Sequence, residues 1–108
     1  KGEGHHTHTH SNSYISGVYY VSCKKNDSII FEKPQEAIQF ENFEKFNIFN
    51  MRSWECPVEN NTLILFPSLI RHGVKINESN HTRITLAFNV FIKGTIGAKN
   101  TLTELEVK

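Results

Sequence analysis

A chain of 108 residues, 38% of them hydrophobic, has room for one domain with one small core. Its formal charge of +1, with lysines and glutamates interspersed, gives no electrostatic footprint for nucleic acid or an anionic membrane surface. It has no run of about 18 apolar residues to cross a bilayer, and residues 1–10 lack the apolar core of a signal peptide, so a cytoplasmic location is expected.

In chain order, HHTHTH opens onto YISGVYYVS, residues 14–22, whose β-branched and aromatic density favours a strand. Cys23 follows. It lies far from Cys56 and outside any CxxC spacing, which predicts two free thiols in a reducing compartment. The polar cluster KKND reads as a turn, and SIIFEKP makes a short second strand that ends at Pro34, which has no N–H to give a ladder. Residues 35–50 alternate too irregularly for a strand and read as a loop with some helix. MRSWECP, NTLILFPS, LIRHGVKI and RITLAFNVF are further strand-like runs divided by the polar groups VENN and NESNHT. The tail from Lys93 reads as a last edge strand or a frayed end. Short strands with turns every ten or so residues predict an antiparallel sandwich or barrel.

The strand RITLAFNVF carries a further pattern. Ile84, Leu86, Phe88 and Val90 share one face, expected to pack. Arg83, Thr85, Ala87 and Asn89 share the other, expected to bind something or meet water.

Six histidines are unevenly placed, with His5, His6, His8 and His10 in the first ten residues and His72 and His81 far downstream. Engineered tags are uninterrupted, whereas these alternate with threonines and run into a strand. Residues two apart on an extended chain point the same way, so His8 and His10 can offer two imidazoles to one ion. A third from a neighbouring strand, for which His72 is the natural candidate, would complete a facial set with open positions. HHTHTH contains two overlapping HxH pairs, so His6 can replace His8 or His10. His81 lies in the polar turn NESNHT and reads as a solvated loop residue.

The stretches HTHSNS, SGVYY, FEKP, LFPS, HGV, and RIT followed by FN stand in a telling order. In order and approximate spacing the chain resembles the 2-oxoglutarate- and Fe(II)-dependent oxygenase superfamily, specifically a group found in marine bacteria and phages. That group reads His-x-His-Pro-Asn-Ser, Ser-Gly-x-Tyr-Tyr, Phe-x-x-Pro, Leu-Phe-Pro-Ser, His-x-Val, and Arg-Ile-Ser followed by Phe-Asn. The resemblance spans most of the chain.

The resemblance implies an all-β fold, a double-stranded β-helix (the jelly-roll, cupin-like barrel), with residues 1–108 as one oxygenase domain. Fe(II) would be held at one open end by His8, His10 and His72. Ten residues separate His72 from Arg83, the interval at which such enzymes carry the arginine for the distal carboxylate of 2-oxoglutarate. A guanidinium suits that task because it grips a carboxylate with two parallel hydrogen bonds. Thr85 and Tyr20 would add hydroxyl donors, with Ser16 on the face of Tyr20, while Asn89 and Asn12 would contact a bound molecule. The implied reaction couples oxidative decarboxylation of 2-oxoglutarate by dioxygen to hydroxylation of a protein side chain or small metabolite, in a bacterial or phage-infected cell.

Two features depart from the superfamily pattern. The widespread motif is HxD or HxE, whereas His10 makes the third ligand neutral. The chain also starts almost at the ligand strand, which suggests a minimal or truncated form, or a homodimer that covers an exposed sheet edge. A cupin with another activity is a rival reading, but no glutamate follows His10 at the cupin spacing and Leu69 stands where that motif has glycine. A non-enzymatic jelly-roll binding module is the third, and it predicts neither tight iron nor a cosubstrate effect.

Overall fold

Runs rich in Ile, Val, Tyr and Phe become strands because branched and aromatic side chains pack well on a pleated surface. The computed structural model describes residues 2–34 and 43–108. The strands are β1 (His5–His8), β2 (Ile15–Ser22), β3 (Ser28–Glu32), β4 (Ser53–Pro57), β5 (Thr62–Pro67), β6 (His72–Val74), β7 (Ile84–Val90), β8 (Gly94–Ile96) and β9 (Leu105–Val107). Of the loop expected over 35–50, residues 35–42 lie outside the described residues, and 43–50 form bends and turns.

Two antiparallel sheets carry the architecture, one ordered β1-β6-β3-β4 and the other β5-β2-β7. Successive strands cross repeatedly from one sheet to the other, giving an all-β, jelly-roll-like molecule. The KKND turn between β2 and β3 forms as expected: the Asp27 backbone N–H donates to Lys24 O at 2.9 Å, and Asp27 Oδ2 accepts from the Lys24 N–H at 2.8 Å. Asn12 and Asn61 take left-handed φ values of 64° and 65° in the turns ahead of β2 and β5, a conformation asparagine tolerates.

Between the sheets Tyr20, Ile29, Val58 and Phe66 are buried, with Val18, Phe31 and Ile64 packed against them. The rings of Phe31 on β3 and Phe66 on β5 meet at 5.1 Å across the gap. Cys23 and Cys56 are both free and half-buried.

Three expectations are corrected. Ile84, Leu86 and Val90 do not pack: they lie on the outer face of the second sheet, where Leu86 is 63% exposed, while the Phe88 ring lies over Gly17. Apolar character was taken to mark the inside, but among the described residues nothing lies over that face. The strand expected across LIRHGVKI is only three residues long, because Ser68, Leu69 and Ile70 form the turn and bend ahead of His72, and Lys75 and Ile76 lie outside any strand. The tail is neither edge strand nor frayed end. Strands β8 and β9 form a hairpin that pairs with neither sheet among the described residues.

Candidate functional site

The pairing of β1 with β6 sets His8 directly opposite His72. His10 lies just past the end of β1, so the two histidines straddle the strand terminus rather than sharing it, and its backbone N–H donates to Ser68 O at 3.0 Å. The three rings nonetheless converge, with centroids 5.0 Å apart for His8 and His10, 4.5 Å for His8 and His72, and 5.1 Å for His10 and His72. One nitrogen from each lies within 4.8 Å of the others.

Which nitrogen faces inward follows from the hydrogen bonds. His8 Nδ1 is 2.9 Å from His6 O, and His72 Nδ1 is 2.9 Å from Ile70 O. A carbonyl oxygen only accepts, so Nδ1 carries the proton in both rings and Nε2 keeps its lone pair. That is the arrangement in which metal-binding histidines are held. Burial pulls the His72 pKa below the ordinary histidine range. The Ile70 carbonyl opposes this, and the neighbouring His8 and His10 reinforce it. The lowered pKa favours the neutral ring, whose lone pair can bind a metal. Three imidazole nitrogens at this spacing fit a first-row divalent ion such as iron, copper or zinc.

These rings border a cavity of about 630 Å³ between the sheets. Its layout follows from strand register. Phe66, Ser16 and Asn89 stand side by side across β5, β2 and β7, and the Phe66 ring lies 4.5 Å from that of His72. Two residues along, Val18 and Ala87 form the next row, and two further on Tyr20 faces Thr85. At roughly 3.3 Å per residue the first and third rows are about 13 Å apart. Arg83 lies just before β7, beyond the third row, and also borders the cavity.

At the histidine end, Ser16 Oγ donates to Asn89 Oδ1 at 2.7 Å and lies 2.8 Å from Ser68 Oγ, which is 2.8 Å from Ser13 Oγ. At the other end Tyr20 is 1% exposed, and burial pushes its phenol up to about 12. The Arg83 charge opposes that rise. The raised pKa keeps Tyr20 a neutral phenol at the cavity wall. Arg83 Nη1 lies 3.1 Å from Asp27 Oδ1.

The cavity thus brings together His8, His10 and His72 with Ser16, Tyr20, Arg83, Thr85 and Asn89. Other candidates fall elsewhere. His6 is exposed and contributes only its carbonyl, while Asn12 does not border the cavity. His81, expected to be solvated, is half-buried, and its Nε2 is 3.1 Å from Ser22 Oγ.

A family model described as "Putative 2OG-Fe(II) oxygenase" matches residues 1–89. The chain belongs to this oxygenase family. No curated protein matches the sequence. The oxygenase match begins ahead of the histidines and ends at Asn89, so it takes in both ends of the cavity and leaves out the β8–β9 hairpin. The family's description implies Fe(II) and 2-oxoglutarate, and the donor set of three neutral imidazoles is compatible with that metal. Sequence reading missed Asp27 and Ser68. Each stood in a segment already explained, Asp27 in the KKND turn and Ser68 at the end of LFPS.

Proposed function

We propose that this oxygenase is an Fe(II)- and 2-oxoglutarate-dependent dioxygenase that hydroxylates a protein side chain or a small metabolite. One observation carries the reading: a single cavity has a three-histidine cluster at one end and a guanidinium flanked by two hydroxyls at the other. Fe(II) with 2-oxoglutarate would supply the oxidising chemistry, coupling loss of carbon dioxide from the oxo acid to oxygenation of a C–H bond.

The chain's own residues account for binding and orientation. His8, His10 and His72 present lone pairs to the metal. Arg83 grips the distal carboxylate, and Thr85 and Tyr20 donate hydroxyl hydrogen bonds to it. Val18 and Ala87 are small enough to leave room between the two ends. Ser16 and Asn89 add polar contacts near the histidines. Three neutral ligands leave the ion's double positive charge unreduced, which favours an anionic ligand such as the carboxylate of the oxo acid end.

Anaerobic titration with Fe(II) and then 2-oxoglutarate tests the reading. A visible charge-transfer band that needs both is expected. In Arg83→Ala metal should bind normally while 2-oxoglutarate weakens roughly 10- to 100-fold, the loss of one or two charge-assisted hydrogen bonds. In His72→Ala metal should be lost first. Metal binding with no cosubstrate response would favour the cupin-type alternative, and equal loss of both in the two variants would mean that each unfolds the domain.

A further inference from the structure

We propose that Asp27 is a positioning residue that holds the Arg83 guanidinium in the direction from which it receives the cosubstrate's distal carboxylate. This rests on the cosubstrate role proposed for Arg83.

Arg83 stands one residue ahead of β7, where the register with β2 shifts between Tyr20 and Ser22. Its side chain is long and has about 2 kcal/mol of rotamer entropy to lose. Arg83 and Asp27 both border a second, outer cleft of about 870 Å³, together with Lys24, Asn26, Asn77 and Ser79. Arg83 therefore lies between that cleft and the cavity holding the histidines, whereas Asp27 borders the cleft and not the cavity. Asp27 thus meets the guanidinium from behind, on the side away from the histidines.

Asp27 is fixed without any help from Arg83. Its backbone N–H donates to Lys24 O at 2.9 Å, its carbonyl accepts from the Val58 N–H at 3.2 Å, and its Oδ2 accepts from the Lys24 N–H at 2.8 Å. Only Oδ1 is left for Arg83, at 3.1 Å from Nη1. The two side chains are 15% and 16% exposed, unlike the surface pair of Arg71 and Glu32 at 58% and 38%. Partial burial spares the contact most of the solvent screening that makes surface pairs weak.

The contact is also single-pronged. It engages one nitrogen of the guanidinium and leaves the fork formed by its other N–H groups for a bidentate carboxylate. A two-pronged pair would have consumed that fork. Asp27 thus sets the direction of Arg83 before any ligand arrives, and an ordering cost already met is not charged again on binding.

Asp27→Asn is the informative variant. Its side chain keeps the size but has one acceptor atom in place of two, so Lys24 N–H and Arg83 can no longer both be satisfied. Two measurements decide. In metal-free protein the Arg83 Nη NMR signals should be resolved, because the contact at Nη1 slows rotation about the Cζ–Nη1 bond, and in Asp27→Asn they should broaden and merge. Unchanged signals overturn the proposal. With Fe(II) loaded anaerobically, Asp27→Asn should weaken 2-oxoglutarate about tenfold. It should change the affinity of 2-oxobutyrate, which has no distal carboxylate, less than about twofold. Equal weakening of both oxo acids, or tighter 2-oxoglutarate binding, overturns it as well, because a merely structural residue affects both and a merely competing anion releases Arg83. If the wild-type protein shows no 2-oxoglutarate response, the cosubstrate reading falls, and the NMR comparison still decides whether Asp27 holds Arg83.

Discussion

Two carbonyl oxygens, each two residues upstream of the ring it touches, decide how His8 and His72 present themselves. That local geometry is invisible in the pattern HTH, which shows that the rings can converge but not which nitrogen leads. Tyr20 is a second residue whose surroundings set its chemistry. Its phenol titrates near 12 in the folded chain against about 10 when unfolded, so the native state holds its proton more tightly. Its contribution to stability is present in full below pH 10 and is lost as the pH rises from about 10 to 12, by roughly 1.4 kcal/mol per unit. Urea unfolding of wild type and Tyr20→Phe across pH 8–12 should show a steeper alkaline fall in the wild type; parallel curves would refute it. Eight residues that border the cavity, His8, His10, Ser16, Tyr20, His72, Arg83, Thr85 and Asn89, could be singled out from motif, spacing and family resemblance. Asp27 could not, because it meets Arg83 across 56 positions of sequence and its own tetrapeptide already had a reason to be polar.

At the level of elements, strands β2 to β5 and β7 were legible because their branched and aromatic runs have few alternative uses. Faces were harder to read. Alternation along β7 located its two faces correctly but said nothing of which one looks inward; the small and polar residues do, because the space they leave is the cavity. The connection of the terminal hairpin carries positive φ at Gly97 and Leu102, and its weak alternation gave no register to read. Gly73 in β6 shows how an element can position the metal ligands without touching metal. A Cβ there would lie 2.9 Å from His5 O and 3.1 Å from Thr7 N, both backbone atoms of β1. Gly73→Ala should therefore push β1, with His8, away from β6. A stability loss of about 1–3 kcal/mol and Fe(II) binding weakened at least about tenfold are expected from thermal melting and metal titration. Unchanged metal affinity would show that β1 yields without moving its histidine.

The whole molecule exposes 8834 Å², where a folded monomer of 12.4 kDa exposes roughly 6,100 Å². Its radius of gyration is 17.6 Å against about 13 Å for a compact chain of this length. The excess has two visible sources, the separate hairpin and the apolar outer face of the β5-β2-β7 sheet, where Leu65 is 57% exposed. Two layers with one of them uncovered make a small core, so individual tethers matter more than in a well-buried domain. Strand β1 is such a case. It is four residues long and pairs with β6 alone among the described residues, yet His8 sits opposite a partner more than half the chain away in sequence. An ion shared by those two rings would be a clasp on the sheet margin as much as a reagent, closing a long loop worth on the order of 4 kcal/mol by the cross-link entropy argument. Stripping the metal with a chelator should then lower the melting temperature by roughly 10 °C or more and speed amide exchange along His5–His8. The same melting temperature with and without metal would mean that β1 is fastened by its hydrogen bonds alone.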